Sequence, residues 1–146
     1  MSTHEPLTEE LQERLLSSAT PEAYLAEAQL NEDDLPAFLW AQLDDAGMAR
    51  AEAIRLSGIN TTFGYQIFQG TRKPGRDHAI MLALGIGCDL RHTQRLLRLA
   101  GVSELWCKNR RDAIIIYCVQ HGYSRAETDD ELWRLGERTL LAAEER

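Results

Sequence analysis

Residues 57–74, SGINTTFGYQIFQGTRKP, concentrate hydrogen-bonding side chains that carry no charge and then end in a basic turn. On a helix, Phe63 and Ile67 stand four residues apart and share one face. Thr61, Thr62, Tyr65, Gln66 and Gln69 are left on the other. Hydroxyls and amides in such a row suit the edges of base pairs. An amide grips adenine with two hydrogen bonds, and a threonine methyl meets the thymine methyl. Arg72, Lys73 and Arg76 follow directly, where guanidinium and ammonium groups suit phosphate oxygens.

These side chains need two short helices to hold them, and the local signals supply both. Gly58 offers the left-handed conformation that ends a helix over 49–57. Ile59 can plug the space between the helices, and Asn60 can cap the second one, over 60–69. Gly70 closes it. Phe63, Ile67 and Phe68 are expected in the core.

The rest of the chain also reads as helix. Leu11, Leu15 and Leu16 follow Thr8, a candidate cap, and Thr20 with Pro21 opens a second helix. Asn31 to Asp34 form an acidic start for a third, running toward Gly47. RDHAIMLALG and DLRHTQRLLRLAG follow, the latter capped by Asp89 with Arg91, Arg95 and Arg98 on one face. AIIIYCV (113–119) is β-branched enough for a buried strand. Asn109, Asp112 and Gly122 around it favour a buried helix. Ser124 and Glu127 form a capping box for the last helix, with Gly136 at its end. The reading is one all-α domain of eight or nine helices, with no internal repeat.

With these residues in place, 50–100 resembles the helix-turn-helix domain of the phage-repressor and Cro-like family, often called XRE-type. The resemblance rests on Gly58, Ile59, Asn60, Ile67, Gly70, the Thr71-Arg72-Lys73 turn and Pro74. AIMLALGIG resembles the family's next helix and DLRHTQRLLRLAG its last. It implies a lambda-repressor-like helix-turn-helix bundle over 49–101. Additional helices would lie at 1–48, packed on the core, and at 102–146, in the same domain. It implies double-stranded DNA as partner, read in the major groove by Thr61, Thr62 and Gln66. Phosphate contacts would fall near Arg50, Asn60, Gln69, Arg72 and Lys73, with Thr71 in the same turn. Two positions depart from the family. Gly64 stands where an aliphatic residue is usual, and Phe68 where an acid is usual. Gly64 costs its helix about 1 kcal/mol relative to alanine. It either permits close packing on a neighbouring helix or re-aims the reading face.

The net charge of −7 hides a segregation. Residues 1–49 hold 11 acids and one arginine, and residues 50–111 hold 11 basic residues and four acids. Residues 112–146 return to acidic, with eight acids and four basic residues. A basic middle is the footprint expected of phosphate binding. The acidic start either tempers DNA affinity or solubilises the chain. No stretch is apolar enough to span a membrane, and MSTHEPLTEE lacks the regions of a signal peptide, so a cytoplasmic protein is expected. Cys88, Cys107 and Cys118 read as buried reduced thiols. Trp40, Trp106 and Trp133 read as core or interface anchors. His4, His78, His92 and His121 have no metal spacing. No catalytic constellation and no cofactor motif appears, so no enzyme is expected. The family commonly binds as a homodimer, and the apolar segment 105–140 is the candidate dimer contact. The competing reading is a protein-interaction or adaptor module that keeps the helix-turn-helix fold without binding DNA.

Overall fold

The computed structural model describes residues 8–27 and 34–145, and among these every regular element is helical. The chain divides into two compact units, Met1–Glu32 and Asp33–Arg146. The first holds α1 (Thr8–Ser17) and α2 (Pro21–Glu27). Thr20 caps α2 by accepting the Ala23 N–H at 3.1 Å, as its place before Pro21 predicts. Leu15 and Leu16 of α1 are exposed. The expected acidic helix start at Asn31, Glu32 and Asp33 lies outside the described residues.

The second unit begins with α3 (Leu35–Ala46), whose N-cap Asp34 accepts the Ala37 N–H at 2.9 Å. α4 (Arg50–Ser57) and α5 (Thr61–Gln69) follow, joined by Gly58, Ile59 and Asn60. α6 (Arg76–Ile86) is buried at every position from Ala79 to Ile86, and most helices of this unit pack on it. α7 (Leu90–Leu99), α8 (Arg110–Gln120) and α9 (Arg125–Arg134) complete it, with a closing 3-10 turn at Leu141–Glu145. The core runs through Leu39, Ile54, Ile67, Phe68, Ile80, Met81, Leu96, Leu97, Ile115, Leu132 and Leu140. The β-branched run 113–119 is therefore helix, as its caps favoured: Asn109 accepts the Asp112 N–H at 2.9 Å. The charge boundary near residue 49 falls inside this second unit, because α3 packs against α5, α6 and α7.

An internal repeat is present after all. α6–α7 and α8–α9 are two copies of one helical hairpin, offset by 35 positions. Asp89 and Ser124 cap the second helix of each copy. Buried Thr93 and Thr128 each donate a hydroxyl to that cap's carbonyl, at 2.7 and 2.8 Å. Gly101 and Gly136 end the copies with φ of +77° and +79°. The Leu105 N–H donates to Gln94, and its counterpart the Leu140 N–H donates to Asp129. The copies clasp reciprocally: Arg76 pairs with Asp112 and Arg111 with Asp77. The matching donations from each arginine Nε go to the carbonyls of Ser103 and Arg138, both at 3.0 Å. The period rests on caps and buried threonines rather than on runs of identical residues, so composition and spacing hide it.

Three other expectations change. Cys107 is exposed while Cys88 and Cys118 are buried, because Cys107 lies in the loop before α8 beside an exposed Trp106. Burial pushes the Cys88 thiol up to about 12, so it is inert. Trp40, Trp106 and Trp133 are 44%, 62% and 79% exposed, so none is a core anchor. Phe63 is only partly buried, whereas Ile67 and Phe68 are fully enclosed.

Candidate nucleic-acid interface

α5 is fixed at both ends by its own sequence. Gly58 takes φ +81°, and Asn60 accepts the Phe63 N–H at 3.1 Å. At the far end Gly70 takes φ +83°, and the Thr71 N–H donates to the Gln66 carbonyl at 3.0 Å. The Thr71 hydroxyl donates to the same carbonyl at 3.2 Å. This closure turns Arg72 and Lys73 outward, and both are exposed.

Thr61, Thr62 and Gln69 are exposed, and Tyr65 and Gln66 are half-buried. Gly64 is buried, and a Cβ there would come within 2.7 Å of the Ile54 side chain. Close packing on α4 is thus the use of this glycine. The row contains no acid.

Arg50 is the first residue of α4. Its guanidinium lies 4.4 Å from the Tyr65 ring centre and 5.3 Å from that of Trp40. Tyr65 thus offers its ring to Arg50 rather than to a base. Ala49 gives α4 no side-chain cap, and Glu52 places an acid in the first turn beside Arg50. Arg72 lies 5.4 Å over the Phe63 ring, which in turn meets the His78 ring edge-on at 5.0 Å. Among the described residues, no carboxylate pairs with Arg50, Arg72 or Lys73.

Arg76 does not belong with them. Its guanidinium donates to both Asp112 oxygens at 2.9 and 2.7 Å and to the Ser103 and Glu104 carbonyls. Burial would raise the Asp112 carboxyl, but hydrogen bonds from Arg76 and the Trp106 N–H outweigh it and hold it below the ordinary aspartate range. The bond to Asp112 likewise raises Arg76. Arg76 is a structural clasp, not a phosphate ligand.

Two contacts escaped the sequence reading. Trp40 supports Arg50 from α3. Glu144, in the closing 3-10 turn, accepts the Asn60 N–H at 2.8 Å and lies 3.3 Å from His78 Nε2. No local signal marks either one, since each acts on a residue distant in sequence.

Among the described residues no group of His, Cys, Asp and Glu could hold a metal, and no helix is long and apolar enough to cross a membrane. No protein-family model, curated protein or solved structure matches the chain.

Proposed function

We propose that this protein binds double-stranded DNA sequence-specifically, as a transcriptional regulator of lambda-repressor-like fold acting in the cytoplasm. α5 would enter the major groove with Thr61, Thr62 and Gln66 against base edges. Arg50, Arg72 and Lys73 would hold phosphates, with Asn60, Gln69 and Thr71 beside them. The observation that carries this reading is an α5 face whose own residues are hydrogen-bonding and hold no acid, with Arg50 against Tyr65 and with Arg72 and Lys73 after Gly70, cations that no described carboxylate pairs with. One helix of nine residues spans too few base pairs for tight specific binding. Two copies on half-sites a helical turn apart would supply the rest.

The test begins with selection of bound duplexes from random DNA, followed by salt titrations of mutants on the selected and a scrambled duplex. Gln66→Ala is expected to weaken the selected duplex by about 1–3 kcal/mol and leave scrambled binding nearly intact. Lys73→Ala is expected to weaken both alike and flatten the salt dependence by about one unit of slope. Identical behaviour of the two mutants would remove α5 as a reading helix.

A second reading, an interaction module that does not bind DNA, is favoured by Glu144. Its carboxylate stands at the first turn of α5, where phosphates would approach.

A further inference from the structure

The repeat shows where a helix is missing. In the first copy, Met81, Leu82, Gly85 and Ile86 of α6 are all buried. α4 lies on this face so closely that a Cβ on Gly85 would come within 2.8 Å of the Ala53 carbonyl oxygen and the Ser57 nitrogen. The same positions of α8, 35 residues on, are Ile116, Tyr117, Gln120 and His121. Here no described helix covers them. Ile116 is partly buried, Gln120 and His121 are exposed, and Tyr117 is 54% exposed. The fold thus presents one helix-receiving face twice and fills it once.

The open face has a chemistry of its own. The Tyr117 and His121 rings stack at 3.9 Å, and Tyr123 meets Tyr117 edge-on at 6.1 Å. The Glu127 carboxylate accepts the Ser124 N–H at 2.9 Å, one residue from Tyr123, and Glu131, one turn further along α9, pairs with Arg134 at 2.6 Å. Stacked π faces beside the Glu127 carboxylate attract cations. Two copies meeting face to face would bring the two Glu127 carboxylates toward each other, which charge disfavours. Gln120 in place of Gly85 keeps an incoming helix farther off than α4 sits on α6, leaving room for long side chains.

We propose that the Tyr117–Gln120–His121 face, with Tyr123 beside it, docks a short basic amphipathic helix of another protein in the place that α4 takes on α6. This inference does not rest on DNA binding.

The test uses the full chain, 15N-labelled, and two synthetic helices identical except for lysine or glutamate at their polar positions. The lysine helix is expected to shift the amides of Tyr117, Gln120, His121 and Tyr123. It is expected to bind about tenfold tighter than the glutamate helix. Tyr117→Ala removes an exposed ring without touching Ile115 or Cys118, so it should keep the parent melting temperature and lose this preference. Glu127→Gln, which keeps an acceptor for the Ser124 N–H, should reduce the preference while leaving the rings in place. Equal affinity for the two helices, no binding of the lysine helix, or shifts confined to another surface would overturn the proposal. So would sedimentation showing a dimer that Tyr117→Ala dissociates, which would assign the face to a second copy.

Discussion

Glu144 sets two effects against each other at one residue. Its carboxylate accepts the N–H of Asn60, where the positive end of the α5 dipole favours it by about 0.3–1 kcal/mol. The same charge repels any phosphate near the helix start. Glu144→Gln keeps an acceptor for Asn60 and removes the charge, so stability and DNA affinity should move in opposite directions. The expected result is a melting temperature a few degrees lower, with affinity about two- to fivefold higher in low salt and the gain erased at high salt. Paired melting and binding curves at two ionic strengths check it. Asp112 yields a pH prediction. Its folded pKa is depressed, so its contribution to stability is complete above the unfolded value of about 4 and lost as pH falls through the folded one. At neutral pH Asp112→Asn should cost about 3 kcal/mol, because it leaves Arg76 without its charged partner. The gap between mutant and parent in urea melts should narrow steadily below pH 4 and not between pH 5 and 7. Neither residue was legible in the sequence for these roles. Asn60 announces itself as a cap by the helix that follows it, but its bond to Glu144 spans 84 residues.

Helix ends were the best-read elements. Asn60, Asp89, Asn109 and Ser124 all cap where their spacing to the following turn requires, because capping is a contact within three residues. Helix spacing is a different matter. Gly85 reads in the sequence as the last residue of the helical stretch RDHAIMLALG, whereas in the fold it lets the backbone of α4 touch α6. The partner atoms are the Ala53 carbonyl and the Ser57 nitrogen, and neither can step aside without moving α4. Gly64 faces Ile54, a side chain that can adjust at some strain. Gly85→Ala should therefore destabilise by about 2 kcal/mol net of the gain in helix propensity. Gly64→Ala should cost less, on the order of 1 kcal/mol or below. Thermal melts of the two variants decide it, and a Gly64→Ala loss exceeding that of Gly85→Ala would contradict this account of the α4–α6 approach.

At the scale of the whole molecule, the basic middle of the chain is less exposed than its sequence charge implies. Arg76 and Arg110 pair with Asp112 and Glu137 of the acidic C-terminal stretch, and Arg111 pairs with Asp77. Part of the segregated charge is thus the two halves of one clasp rather than a footprint for phosphate. A linear reading sees the charges but not the two hairpins that bring them together. The clasp also decides what a shortened chain can do. Ending the chain at Gly101 matches the extent of the helix-turn-helix resemblance, yet it removes Asp112 from Arg76 and Arg111 from Asp77. It also strips Ile115, Val119, Leu132, Leu140 and Ala143 from the core cluster they share with α6. Asp77 is nearly buried, so the loss leaves a carboxylate short of its charged partners, a cost of several kcal/mol beside the lost apolar burial. With total stability of about 5–15 kcal/mol for a domain, this truncation should lose its cooperative thermal transition. A truncation ending at Gln120 should remain less stable than the full chain, because it restores the ion pairs but not α9. Circular dichroism melts of both against the full chain check the order. A cooperative melt for the Gly101 truncation within a few degrees of the full chain would show that α6 needs no second hairpin.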